Sequence, residues 1–443
     1  MPNATSRERC AHASSSIVQL SASIGRPIAT RVAYVAWLVL AAPVALGAQS
    51  RSVATATSAA PQRCMDTTAV LTPARLDDTH LIYVEQETAV SQRDGRVLVA
   101  GAPVFVWRDR GDRYDLLGLD SLFGMVIEPS LSVRAIPKPI QARSLDGMRA
   151  AALPDGWWLV TFAEVIPAEN PQNTVGVAMW AGETDGIRWR SLQKLPMIAD
   201  TLEIWNISAL VWRDGRARLA VPFKHDGRRL AVLYALDEGR WKARIEDLGY
   251  LSYVALALTP SRDLMAVVRP LQNVSVDNNS LFLYTKSPSD SIWTNSAQIV
   301  RGGEDPVRDP LFSGENPRVL SWRRTSATSR STEAWFATLS ENGDSISSPI
   351  HLATGATLTS LASRAGHAIL AVADAVWPNP TLQLLELGDS TVIARQSMKT
   401  EYRGVIAIEV THANVVLIAA RAAAAPRDPA VVSILQTHAW RCQ

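Results

Sequence analysis

"RLAVLYALDEGRWKARIEDL" (residues 229–248) reads as an apolar strand, a tight polar turn and a second strand. Branched and aromatic residues bounded by Asp, Glu and Gly are the pattern of a β-hairpin. The unit recurs upstream as "PVFVWRDRGDRYDLLGL" from Pro103 and "VGVAMWAGETDGIRWRSLQKL" from Val175. Downstream it recurs as "SLFLYTKSPSDSIWTNSAQI" from Ser280, "EAWFATLSENGDSISSPIHL" from Glu333, "TLQLLELGDSTVIARQSM" from Thr381 and "VVSILQTHAWRCQ" from Val431. The large residues late in each first strand are Trp107, Trp180, Tyr234, Tyr284, Phe336, Leu385 and Leu435. They lie 73, 54, 50, 52, 49 and 50 residues apart, so one unit of about fifty residues repeats along the chain. The long first interval is read as an insertion around residues 120–142.

A second hairpin precedes each unit. Its second strand is "RVLVAG", "WWLVTF", "RLAVPF", "LMAVV", "RVLSW", "AILAVA" and "VVLIAA" in turn, and its first shows in "SALVW", "YVALAL", "LTSLAS" and "VIAIEV". Four strands in each of seven units predict an all-β fold, a seven-bladed β-propeller. The alternatives are a β-sandwich, two stacked all-β domains, or a ring of six or eight blades. Blade five is the least regular, because "RRTSATSRST" (323–332) interrupts it.

The balance of 47% hydrophobic and 19% charged residues is that of an ordinary globular chain. The run "VAYVAWLVLAAPVALGA" (32–48) follows Arg26 and Arg31, contains Pro43 and ends in small residues. It reads as a secretory signal peptide over 1–48, too short for a spanning helix, with an uncleaved anchor as the alternative. Residues 49–78 are then an N-terminal segment latching onto the last blade, and 79–443 the propeller. Cleavage leaves 40 basic against 41 acidic residues, without the basic footprint of nucleic-acid binding. The expected protein is exported, periplasmic or extracellular, with no membrane span after cleavage, and monomeric.

Export also leaves two cysteines, Cys64 and Cys442, in an oxidising compartment. A ring must join its first and last blades, and a Cys64–Cys442 disulfide is the expected latch, with Cys442 on the outermost strand of the last blade. Two free thiols or an intermolecular bridge are the alternatives.

Strand order puts the links from strand one to two and three to four on one side; these are short, such as "RDG" (213–215) and "PDG" (154–156). Links from strand two to three, and from blade to blade, share the other side and are longer. That side is where a ligand is expected. Its candidate residues are Glu164, Glu169, Arg269, Arg301, Asp305, Arg308, Arg323, Asp374, Trp377, Tyr402, Arg403 and Arg427. Arginine, carboxylate and aromatic groups together suit a carbohydrate, a carboxylated small molecule, a peptide or an envelope protein partner. The bland alternative is ordinary solvated loop charge.

HExxH, CxxC, P-loop and GxSxG patterns are absent, and the six histidines after residue 48 form no pair at ligand spacing. No metal and no cofactor are expected. The turns "ETDGIRW", "LDEGRW" and "SPSDSIW", ending at Trp189, Trp241 and Trp293, each keep an acidic residue before a tryptophan. In this they resemble the Asp box of sialidase-like BNR-repeat propellers, although none completes the box. The resemblance implies the propeller fold; the sialidase arginine triad, tyrosine–glutamate pair and acid–base aspartate find no matching positions. The leading expectation is therefore a non-catalytic binding propeller. A sialidase-like or other glycan-active hydrolase using loop carboxylates and arginines is the alternative, and a purely structural assembly role a third.

Overall fold

The computed structural model describes residues 64–442 apart from linking segments, chiefly 67–71, 110–113, 167–175, 197–202, 205–208, 249–251, 270–278, 375–380, 400–404 and 423–432, with shorter breaks. Side chains are described from Ala89 onward, while segments such as 101–109, 417–422 and 433–438 are described as backbone alone. The stretch read as a signal peptide lies outside the described residues. No helix among the described residues is long and apolar enough to cross a membrane.

The chain is a succession of strands. The first are β1 (Cys64–Asp66), β2 (Thr72–Pro73), β3 (Arg75–Asp77), β4 (His80–Ser91), β5 (Val97–Asp109), β6 (Tyr114–Leu119), β7 (Leu122–Ile127) and β8 (Val133–Pro137). Blade 1 is β4, β5, β7 and β8. Blade 2 is β9 (Leu145–Ala152), β10 (Trp158–Ile166), β11 (Gly176–Thr184) and β12 (Trp189–Lys194). Blade 3 is β13 (Glu203–Ile204) and β14 (Ala209–Arg213), both on β15 (Arg216–His225), then β16 (Arg228–Asp237) and β17 (Arg240–Glu246). Blade 4 is β18 (Tyr253–Leu258), β19 (Asp263–Arg269), β20 (Ser280–Lys286) and β21 (Thr294–Val300). Blade 5 is β22 (Val307–Phe312), β23 (Val319–Thr325), β24 (Thr332–Thr338) and β25 (Ile350–Thr354). Blade 6 is β26 (Leu358–Arg364), β27 (His367–Asp374), β28 (Thr381–Leu387) and β29 (Val392–Lys399). Blade 7 is β30 (Val405–Val410), β31 (Asn414–Ala422) and β32 (Ser433–Cys442), completed by β1 and β2 on the outer side of β32.

First strands touch in a closed cycle, β4 to β9, β14, β18, β22, β26, β30 and back to β4. Seven antiparallel sheets around such a cycle are a seven-bladed β-propeller. Apolar residues on both faces of each sheet pack against the neighbouring blades. Leu219, Val221 and Phe223 of blade 3 meet Met179 and Ala181 of blade 2, for example, and Leu370 and Val372 of blade 6 meet Phe336 of blade 5. Blade five is complete despite its serine-rich interruption, where Ser326 and Ser331 pair through the backbone and the serine hydroxyls bond one another.

Two details differ from the sequence reading. Residues 122–127 and 133–137, within the expected insertion at 120–142, are the regular third and fourth strands of blade 1. The extra length is instead 101–121. The first four residues of β5 pair with β7, and its far half runs past the blade to pair with β6 and the start of β4. Trp107 therefore belongs to this extension, and Met125 on the true third strand stands 55 residues before Trp180, in step with the other blades. Cys442 lies on the third strand of blade 7, and β1 runs outside it with Cys64 directly opposite Cys442.

The side of short links is stitched by arginines. In "RDG" and "DEG", Asp214-Gly215 and Glu238-Gly239 take left-handed φ, the geometry of two-residue hairpin turns. Arg213 and Arg216 reach across to donate to the Leu258 and Thr259 carbonyls of blade 4. Arg218 bonds Asp263 of blade 4 at 2.7 Å and Asp237 of its own blade at 2.9 Å. Arg96 joins blades 1 and 2 through the Gly156 carbonyl and lies over the Trp158 ring. These charges hold blades together.

Where blade 7 meets blade 1, a carboxyl bridges the seam. Ser91, ending β4, donates to Glu409 Oε1 through its amide at 3.1 Å and its hydroxyl at 2.8 Å. Glu409 is half-buried between two blades, and burial raises its pKa from the ordinary 4.5 to about 7 against the lowering by Ser91. Folded Glu409 thus keeps its proton to a higher pH than unfolded Glu409. This contribution to stability is full below pH 4.5 and is lost as pH rises through about 7. The loss amounts to up to about 3 kcal/mol. Urea midpoints between pH 4 and 8 should show the fall in the native chain and a flatter profile in Glu409→Gln; parallel profiles would refute the assignment.

Candidate functional site

Seen on the long-link side, blade 5 carries the densest polar cluster among the described candidates. Its inner strand β22 begins regularly, with Val307 in the apolar contact with blade 4. Its register against β23 then slips between Arg308 and Leu311, and Asp309 adopts a left-handed φ of 48°. Pro310 supplies the reason, since a proline inside a strand forces a bulge. Strict alternation would send Asp309 toward blade 4. The bulge re-aims it to pair with Arg323, the cross-strand partner of Arg308. Arg323 also donates to the Ala356 carbonyl at 3.3 Å, tying β23 to the link that enters blade 6.

Around this pair, Asp305 bonds Arg324 at 2.8 Å. Arg308 is exposed on the innermost strand and has no ion-pair partner among the described residues. Tyr253, the first residue of blade 4's inner strand, lies within electrostatic reach of Asp309, Arg308 and Arg323. Burial first, and then the Asp309 charge, raise its hydroxyl pKa, with the two arginines opposing. Asp374 ends β27 beside Gly355, where a Cβ would come within 2.8 Å of the carboxylate; the link at 355 accordingly uses a glycine with φ of +83°. The cluster thus runs from Tyr253 on blade 4 through blade 5 to Asp374 on blade 6.

Two other candidates have roles of their own away from this cluster. Glu164 accepts a hydrogen bond from Trp180 Nε1 at 2.9 Å on blade 2, positioning an indole of its own sheet. Arg269 lies over the Phe282 ring and donates to Tyr284 Oη and the Leu248 carbonyl, a packing role between blades 3 and 4. Arg301 is exposed in the link from blade 4 to 5. Glu169, Trp377, Tyr402, Arg403 and Arg427 lie outside the described residues. Asp309 stands in "RDP" (308–310), a run whose carboxylate the sequence offers for acid–base chemistry and whose proline signals the bulge, whereas nothing local marks Tyr253. Among the described residues no three His, Cys, Asp or Glu side chains converge to hold a metal.

The box-like turns act as caps. Asp185 accepts the Ile187 and Arg188 amides, and Thr184 accepts the Gly186 amide. Trp189 bonds the Pro137 carbonyl of blade 1 and meets Phe123 edge-on, so it joins two blades rather than two strands. In blade 5 the turn after Ser340 does the same work, with the Ser340 hydroxyl accepting the Asp344 and Ser345 amides.

No protein-family profile matches the chain, and no curated protein does. Solved structures align with the chain at low identity. A polysaccharide lyase, Uly1, aligns at 9% identity and a TM-score of 0.47, over 81% of this chain and 89% of its own. A Hadza microbial sialidase aligns at 9% and 0.42, over 79% and 74%. A GH93 α-L-arabinofuranosidase of Fusarium graminearum aligns at 12% and 0.42, over 67% and 92%. The chain is an all-β, seven-bladed propeller whose structural neighbours include glycan-active enzymes.

Proposed function

We propose that this chain is an exported, non-catalytic propeller that binds a ligand carrying an anionic group through its long-link face, with Cys64 and Cys442 joined as a disulfide. The observation that carries the reading is the blade-5 cluster. Arg308 stands exposed on the innermost strand, next to a strained Asp309–Arg323 pair that fixes the backbone presenting it. Strained, over-determined backbone is characteristic of ligand-facing segments. Asp305 and Asp309 are each matched to an arginine, and Arg308 has no ion-pair partner among the described residues, so it is the cation this cluster offers to a ligand. Export is supported by the apolar 32–48 run. The disulfide is supported by the register of β1 on β32, since directly opposed residues of an antiparallel pair stand at a Cα separation a disulfide can span.

The second reading, a glycan-active hydrolase, draws on the same cluster because Tyr253, Asp305, Asp309 and three arginines meet there. The pairing of each aspartate with a guanidinium disfavours the protonated carboxyl that a general acid requires, and the raised Tyr253 pKa disfavours a phenolate nucleophile.

A glycan and peptide array on residues 49–443 tests the reading. Binding to an anionic member is expected, with Arg308→Ala weakening it by about 10–100-fold, the loss of one charge-assisted hydrogen bond. No binding, or equal binding by Arg308→Ala, rejects the site. Release of sugar from array glycans, abolished by Asp309→Asn, would establish the hydrolase instead.

A further inference from the structure

Asn342 is the one asparagine of the chain that is followed by glycine. A glycine next in sequence puts no side chain beside its own amide nitrogen, so that nitrogen can approach the asparagine carboxamide. The pair sits in the link from β24 to β25, on the short-link side of blade 5. Gly343 donates from its amide to the Ser340 carbonyl at 2.9 Å, closing a four-residue turn with Asn342 at its third position. Gly343 itself takes a φ of +68°, the left-handed residue that follows such a turn in a hairpin. Asn342 is exposed, while Gly343 is buried.

The turn closes one end of the apolar contact between blades 4 and 5. Leu339 and Ile346 flank it, bridge to one another and pack in the cluster that holds Leu264 of blade 4. Leu264 is 0% exposed. A Cβ on Gly343 would come within 2.6 Å of Leu264 Cδ2, so the turn's backbone lies directly on that side chain. On its other side the Ser340 hydroxyl accepts the Asp344 and Ser345 amides, both at 3.1 Å. The main chain is thus fixed at both ends, and only one length of it fits.

We propose that Asn342 is a site of spontaneous conversion to aspartate and isoaspartate, restrained by this turn and harmful to the blade 4–5 contact once it occurs. The Gly343 amide nitrogen gives its proton to hydroxide and bonds to Asn342 Cγ. The bond from Cγ to the side-chain nitrogen breaks, and ammonia leaves with a proton taken from water. Water then opens the five-membered imide. Breaking the bond from nitrogen to Cγ gives aspartate. Breaking the bond to the main-chain carbonyl carbon gives isoaspartate, whose main chain runs through Cβ and Cγ and is one methylene longer. Water is the only co-reactant consumed. The Gly343 bond to Ser340 must open first, so the rate follows the fraction of time the turn is open. The longer chain cannot keep both the Ser340 cap and the seat on Leu264, where there is no room for another carbon. The site lies on the side opposite Arg308 and is independent of the binding reading.

The test is incubation of residues 49–443 at mildly alkaline and mildly acidic pH, followed by peptide mass mapping and isoaspartyl methyltransferase labelling. In the alkaline arm the Asn342 peptide should gain the mass of an amide-to-acid exchange before any other asparagine peptide, and take up the methyl label. In the acidic arm it should stay unchanged. Ser340→Ala removes the cap and should speed the conversion roughly fivefold. The aged chain should melt roughly 1–3 °C below the fresh one. Asn342→Asp carries the charge without the extra carbon and should stay within about 1 °C of the fresh native chain. Asn342→Gln should age with no fall in Tm. Conversion that is absent at Asn342, or faster at another asparagine, overturns the site. An unchanged rate in Ser340→Ala overturns the control by the turn. An equal fall in fresh Asn342→Asp overturns the role of chain length.

Discussion

Replacing Cys442 by serine should lower the stability of the chain by about 5–6 kcal/mol. The bond proposed between Cys64 and Cys442 would close a loop of nearly four hundred residues, and the entropy such a crosslink removes from the unfolded chain grows with loop length. The register already places the two residues opposite one another in an antiparallel pair, so the bond requires little backbone adjustment. Guanidinium melts of Cys442→Ser, Cys64→Ser and the double variant should coincide, because each removes the same bond. A reducing agent should move the native chain to the same midpoint. Mass spectrometry finding both thiols free in the exported protein would refute the pairing.

Arg218→Met should cost about 3–5 kcal/mol, the cost of stranding a buried carboxylate. Asp263 is 1% exposed and depends on Arg218 for its short bond; Arg216 stands at 3.7 Å, too far to replace it. Burial lowers the Arg218 pKa, but the opposing pull of Asp263 and Asp237 leaves it raised overall, so the guanidinium stays charged. The double variant Arg218→Met/Asp263→Leu should recover most of the loss, since removing both charges removes the desolvation penalty as well. Urea unfolding of the three variants decides this. A single variant within about 1 kcal/mol of the native chain would show the charges to be solvated.

Much of the ring was legible because hairpins are local. Alternating apolar residues around a polar turn declare a strand pair in twenty residues, and the fifty-residue spacing then counts the blades. Blade 1 shows the limit of that reading. The segment from Pro103 to Leu119 is a genuine hairpin with the same pattern as the repeat, yet it pairs beyond its blade. Whether a strand's partner lies inside the blade or past its end depends on β7, a contact no local pattern contains. The site was harder for the same reason. Arg308, Asp305 and Arg323 could be placed on the correct face by strand order, but Asp309 acquires its partner through a register slip. Arg269 and Glu164 illustrate the converse: charged residues near loops that the fold uses for packing.

The seventh blade also has a history in time. Among the described strands β1 is the first to be made, and β32, the strand it lies against, is the last. During synthesis β1 must wait, as an unpaired edge, while more than three hundred residues fold behind it. Such an edge is a template for pairing with other chains. The ring is therefore most vulnerable to aggregation in the interval before its last strand arrives. A chain truncated before Ser433 would be held in that interval permanently.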